Sequence, residues 1–293
     1  MVKEFLLGDN PFIGVSHLAQ VKAREEKREA TLRNKVEVIR AAVEGGATGF
    51  TFSTHQSNLE LLHYMYDHHK DILGKLNYYI LTPYAQAYVR KANITGTTIL
   101  VKTLLNNIIK NQFIDFALAL VTGNVNKIAG LFINFELKPY LNVLPRNKIK
   151  AVLLHEILTE LIIAYDLAQL LRELKSYVER RLGINFGLET RNIAQLQRYL
   201  KIVDINIDYI MTPMNPIGYQ MAPSKRQAEK SILELSRNTK IIAINILASG
   251  AVTLEEAIAY LKDFRDSLYA VTSASTKPYR IKSNFLKLKQ ILG

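Results

Sequence analysis

The chain has 293 residues, 48% hydrophobic and 22% charged, an ordinary globular balance that can bury a large core without disulfide or metal staples. It contains no cysteine, so thiol nucleophiles, zinc–thiolate sites and iron–sulfur clusters are excluded, and the missing disulfides fit a reducing, cytoplasmic setting. The net charge is +12, yet the basic residues are scattered from Lys22 and Arg24 through Arg180 and Arg181 to Lys287 and Lys289, with no nucleic-acid motif beside them. A solvated surface, or the steering of an anionic small molecule, is expected instead of nucleic-acid binding.

The first residues, M-V-K-E-F-L-L-G-D-N, are broken by Glu4 and Asp9 and do not read as a signal peptide. No later segment has the length of a membrane span. Abundant Lys, Ile and Tyr with no Cys or Trp suits a heat-adapted protein. Short apolar runs then recur at Glu4–Gly8, Thr48–Ser53, Asn77–Thr82, Ile149–His155, Ile184–Glu189, Ile207–Thr212, Ile241–Leu247 and Leu268–Ser273. Each predicts a buried strand, and helical periodicity follows most of them. Over Lys35–Gly45, Val36, Ile39, Arg40 and Val43 keep the helical spacing until Gly45-Gly46 stops it. Gln195–Val203 and Leu254–Leu261 read the same way, the second opening on the capping box Thr253/Glu256. This alternation predicts one domain over residues 1–293, a (β/α)8 TIM barrel.

One interval is oversized. Residues 83–148 read as a mainly helical insertion between the third and fourth strands, with Thr97–Leu120 helical and an apolar stretch at Ala129–Leu137. Its apolar stripe needs cover from the barrel mouth or from a second copy of the chain, so a homo-oligomer could form through it. An extra strand outside the barrel, or a misnumbered barrel strand, is the alternative reading.

In such a barrel the site lies at the strand C-termini. Those ends carry Asp9 and Asn10, Ser53 to His55, Thr82, His155 and Glu156, Glu189 to Arg191, Thr212, Asn215, Ser249, Ser273 and Ser275. His155, Glu156, Glu189 and His55 are the candidates for acid–base work, because carboxylates near an imidazole push their pKa values apart. The alternative is structural: Glu189 would pair with Arg191 or a loop lysine, and His155 would cap a strand. His17 joins these groups in ligand chemistry, but no metal-site spacing links them and no metal is assigned. The basic run S-T-K-P-Y-R-I-K-S-N at residues 275–284 enters a helix straight after the last strand, where a phosphate would be expected. Arg280 and Asn284 lie four apart on one helical face, and Ser249-Gly250 could close the site from the seventh strand. The alternative for Arg280 is a surface pair with Asp263 or Asp266.

These motifs resemble the aldo-keto reductases. L-L-H-E at 153–156 is similar to the family's fourth strand with its carbonyl-polarising histidine. G-L-E-T-R-N-I-A-Q-L at 187–196 is similar to G-V-S-N-F-x-x-x-Q-L, and M-T-P-M-N-P at 211–216 to Q-V-E-Y-N-P. A-I-N-I-L-A-S-G at 243–250 resembles the seventh strand and its loop. Ser275, Arg280, Ile281 and Asn284 match S-x-x-x-x-R-I-x-x-N, which in the family holds the 2′-phosphate of NADPH. The resemblance thus implies a cofactor-binding set of Ser249, Gly250, Ser273, Ser275, Arg280 and Asn284. Whether NADP is retained stays open, because the family's catalytic groups have largely gone. Ser53 replaces its aspartate, His55 and its neighbours offer no matching tyrosine, Thr82 and Pro83 stand where its lysine would be, and only His155 remains. Glu189, Thr190 and Met211 replace the groups that hold the nicotinamide amide. Three functions follow as expectations. They are a small-molecule enzyme with an altered use of a nicotinamide cofactor; a cofactor-independent or metal-assisted lyase, isomerase or hydrolase on a phosphorylated metabolite; or a non-catalytic binding subunit.

Overall fold

A computed structural model describes residues 1–13, 31–83 and 125–293, with side chains in the last stretch from residue 128. The strands are β1 Glu4–Gly8, β2 Gly49–Ser53, β3 Asn77–Thr82, β4 Ile149–Leu154, β5 Asn185–Glu189, β6 Tyr209–Pro213, β7 Lys240–Ile244 and β8 Ala270–Ser273. All neighbours pair in parallel, and β1 pairs with both β2 and β8, so the sheet closes. The protein is a (β/α)8 barrel.

The period of two along each strand sorts the side chains. Leu6, Tyr79, Leu81, Leu153, Tyr209, Met211 and Ile242 form the inner layer. Leu7, Phe50, Phe52, Tyr78, Val152, Phe186 and Ile210 belong to the larger cluster packed under the helices. The strands are apolar on both faces because each face meets other side chains, as buried parallel sheets require. At the floor, Tyr209 stacks edge-on against Tyr79 and Tyr269, with centroids 5.8 and 5.6 Å apart. Lys240 Nζ donates to Tyr209 Oη at 3.1 Å, and Glu4 accepts from Asn77 at 2.7 Å. A filled floor leaves the polar strand ends at the opposite mouth as the place for a ligand.

The helices among the described residues are α1 Leu32–Gly45, α2 Gln56–His68, α3 Lys70–Leu73, α4 Val125–Leu141, α5 Glu156–Ala164, α6 Ala168–Ser176, α7 Ile193–Val203, α8 Lys225–Leu235, α9 Leu254–Lys262 and α10 Pro278–Leu292. Their starts follow capping chemistry: Thr31, Asn192, Ser224 and Thr253 each accept a backbone N–H from the first turn. Gly46, at φ 102°, ends α1 in the left-handed conformation that glycine tolerates. Within the long interval, α4 contains the stretch Ala129–Leu137, and its Tyr140 hydroxyl donates to the His55 carbonyl at 3.0 Å. This ties α4 to the β2 end. The expected helix over Thr97–Leu120 lies outside the described residues. Among the described residues no helix is long and apolar enough to cross a membrane.

Two expected strands end early. His155 lies beyond β4 and caps α5, its Nδ1 accepting from the Ile157 N–H at 3.4 Å. β7 stops at Ile244 because Asn245 turns to φ 57°, while the next residue, Ile246, stays buried in a loop. An apolar run alone does not distinguish a strand from a loop folded into the core.

Candidate active site

A cavity of about 440 Å³ opens at the strand C-termini, and Asp9, His155, Glu156 and Glu189 line it together with Ser275, Lys277 and Arg280. Ser249, Gly250, Ser273 and Asn284 line it as well. The cofactor-type set and three of the four acid–base candidates therefore face one space. His55 does not line it: its Nδ1 accepts from the Ser57 N–H at 3.1 Å and caps α2. His63 and His68 are exposed on α2, and His17 lies outside the described residues.

Glu189 is the last residue of β5 and is buried. Its Oε2 accepts the Glu156 backbone N–H at 3.1 Å. Arg191 does not neutralise it, because that guanidinium grips both oxygens of Glu156. Buried first and facing the Glu156 charge second, the Glu189 carboxyl is pushed up to about 8. It is mainly protonated at neutral pH. Burial also lowers the pKa of His155, the Glu156 charge opposing the shift and Arg191 adding to it. With Nδ1 accepting a backbone N–H, the neutral ring carries its proton on Nε2 and serves as a donor.

Asp9 was visible in the sequence only as a strand end. In the structure its Oδ2 accepts from the Ser53 N–H at 2.9 Å and from Asn58 Nδ2 at 2.6 Å. Desolvation raises it to about 6, against those two hydrogen bonds and the charge of Lys35. The first of these donors is the backbone of Ser53, the last residue of β2. A carboxylate from the end of β1 therefore reaches the end of β2. Lys35 is buried too, its Nζ 2.6 Å from Ser57 Oγ, and burial lowers its pKa. No motif pointed to Asp9 or Lys35, since their partners come from other elements.

On the β8 side of the cavity the loop after the strand is shaped by its own groups. Ser275 Oγ accepts the Lys277 N–H at 3.0 Å, and Asn34 Nδ2 donates to the Thr276 carbonyl at 2.9 Å. Asn284 is buried behind this loop and donates to Ser273 Oγ at 3.2 Å, so it braces the β8 end. α10 starts with Pro278 at its first turn and has no side-chain cap. Its free N–H groups and dipole favour an anion there. Lys277 and Arg280 are exposed and have no ion-pair partner among the described residues, whereas Asp266 pairs with the N-terminal amine. On the β7 side, Gln220, Asn245 and Ser249 hold left-handed conformations without being glycine, a concentration of strain at the cavity rim.

No family model and no curated protein matches the sequence. Among solved structures, PA4992 of Pseudomonas aeruginosa, assigned to the aldo-keto reductases, aligns with a TM-score of 0.58 at 15% identity, covering 100% of this chain and 92% of that one. The fold is aldo-keto reductase-like. AKR11C1 of Bacillus halodurans, in its holo form, aligns with the aldo-keto reductase-like barrel at a TM-score of 0.57 and 11% identity, over 99% of this chain and 91% of that one. A Gox0644 variant solved with NADPH has a TM-score of 0.50 at 11% identity, over 89% and 80% of the two chains. At such identities the likeness concerns the fold alone.

NADP can be tested against the residues of this barrel. Its phosphate end fits, because the α10 N-terminus, Lys277 and Arg280 converge on the cavity without partners. Its nicotinamide end does not. Thr190 Oγ1 already donates to Glu160 at 2.6 Å and accepts from the Asn192 N–H, and Met211 offers only a thioether. Among the described residues no metal-holding group of three or more His, Asp or Glu side chains occurs.

Proposed function

We propose that this chain is a small-molecule enzyme whose ligand carries a phosphate. The anion would sit at Lys277, Arg280 and the α10 N-terminus, while the reacting part of the ligand lies beside Glu189 and His155. The observation that carries this reading is the continuity of one cavity between the cationic loop and the buried acid. A guanidinium–phosphate hydrogen bond is charge-assisted and about twice as strong as a neutral one. Glu189 as a protonated carboxyl and His155 as an Nε2–H donor are suited to polarising a carbonyl or protonating a leaving oxygen. NADPH belongs among the first ligands to test, because its phosphate end fits and one protein of similar fold was solved with it.

Calorimetry with NADPH, NADH and inorganic phosphate, on wild type and Arg280→Ala, tests the reading. Phosphate-bearing ligands should bind the wild type, and the variant should weaken them by roughly tenfold to a hundredfold, as the loss of one hydrogen bond to a charged group implies. Preference for NADPH over NADH would identify the dinucleotide. Wild-type protein that binds none of the three, or an unchanged Arg280→Ala, would rule the reading out.

A further inference from the structure

Two carboxyl groups face the cavity without a neutralising contact from any cation. Asp9 directly follows β1 and Glu189 ends β5, and in a closed ring of eight strands these positions are opposite each other. Asp9 is 6% exposed and its Oδ2 is fixed by Ser53 and Asn58. Glu189 is 8% exposed, and its Oε1 has no hydrogen-bond partner among the described residues although Oε2 is held by the Glu156 N–H. A carboxyl oxygen that opens onto a cavity and has no protein partner is available to bond with a ligand.

We infer that Asp9 and Glu189 act as a proton acceptor and a proton donor on opposite sides of a small hydroxy-carbonyl compound whose phosphate sits at the Lys277–Arg280 end. The inference rests on the phosphate-ligand reading above and adds the reaction class, a cofactor-independent proton shift. The Asp9 carboxylate takes the proton from the carbon next to the carbonyl. The C–H electron pair forms a C=C bond, the carbonyl π pair moves to oxygen, and Glu189 gives that oxygen its proton. The product is a neutral enediol. Protonated Asp9 then gives its proton to the former carbonyl carbon through the C=C pair. Ionised Glu189 takes the proton of the other hydroxyl, whose C–O bond becomes the new C=O, so atoms and electrons balance with no oxidant or reductant.

Burial sets the two protonation states in the required order. Asp9 near 6 is mainly ionised at pH 7 and Glu189 near 8 is mainly protonated. The charged groups around them are Lys35 beside Asp9, with Glu60 beyond it, and Glu156, Arg191 and Asp9 itself around Glu189. His155 stays neutral beside Glu156. The rate should therefore be bell-shaped in pH, rising through about 6 and falling through about 8.

The test is deuterium exchange by NMR, with dihydroxyacetone phosphate in heavy water and nucleotide-free protein, alongside calorimetry of inorganic phosphate. Deuterium should enter the carbon next to the carbonyl faster than without protein. The rate should fall by about 100-fold or more in Glu189→Gln and Asp9→Asn, as loss of one acid or base predicts, while phosphate affinity holds. If Asp9→Asn does not fold, Glu189→Gln and the wild-type pH profile decide. Phosphate binding without exchange, or exchange that persists in Glu189→Gln, overturns the proton shift and leaves the phosphate reading standing. No phosphate binding in the wild type overturns the reading beneath it.

Discussion

Glu189 should leave a mark on stability as well as on chemistry. Its folded-state pKa of about 8 lies above the ordinary 4.5, so between those values the folded chain keeps a proton that the unfolded chain has lost. The stabilisation is complete below about 4.5 and is lost as pH rises towards 8. His155 runs the other way: its pKa is lowered from 6.5, so stability falls as pH drops below that value. Glu189→Gln keeps the shape and removes the buried charge. In chemical denaturation it should gain on the wild type by a few kcal/mol at pH 8.5 and by almost nothing at pH 4. An equal change at both values would mean that the carboxyl is not desolvated. Reading the sequence could nominate Glu189 and His155, since both end apolar runs. It could not find Asp9 as a poised carboxylate, because Asn58, the side chain that orients it, stands on α2 behind another strand.

Gly187 shows how an element sets the position of the site. A Cβ there would stand 2.8 Å from the Tyr209 carbonyl and 2.9 Å from the Tyr209 Cβ, so β5 approaches β6 as closely as it does only with glycine. Gly187→Ala should push β5 away from β6, costing about 1–3 kcal/mol by overpacking. It should also weaken any activity through Glu189, two residues on, and a thermal shift together with the deuterium-exchange rate would check both. A neutral result would show that β5 has room to slide. By contrast, Thr253→Ala at the α9 capping box lies away from the cavity and should cost about 1 kcal/mol with the exchange rate unchanged. The elements were the most legible part of the chain, because eight apolar runs separated by helical stretches leave few architectures other than a barrel. Their ends were less so. Val271 belongs to a strand and Ile246 to a loop, yet both are apolar and buried, and only the turn at Asn245 separates the two cases.

At the scale of the whole molecule, the two ends of the chain close the fold together. The Val2 N–H donates to the Leu292 carbonyl at 3.0 Å, and α10 lies along α1, where Gly45 meets the Lys282 backbone. The helix that brings Arg280 to the cavity is thus also part of the core, through Ile281, Phe285, Leu288 and Leu292. Charge acts on this frame as a whole. With 38 basic against 26 acidic side chains the chain carries +12, while pairs such as Lys282–Glu44 and Lys287–Glu255 are exposed and contribute little. Self-repulsion should then outweigh the attraction within these surface pairs. Raising sodium chloride from about 10 to 150 mM shortens the screening length from roughly 30 to 8 Å. The melting temperature should rise by about 2–4 °C, which is about 1 kcal/mol for a chain of this size. The same salt should weaken inorganic phosphate, because the field that repels the chain from itself also draws the anion to Lys277 and Arg280. Opposite signs for stability and affinity in one titration would identify the net charge as their common cause. A melting temperature that falls with salt would show that the surface ion pairs outweigh the excess charge.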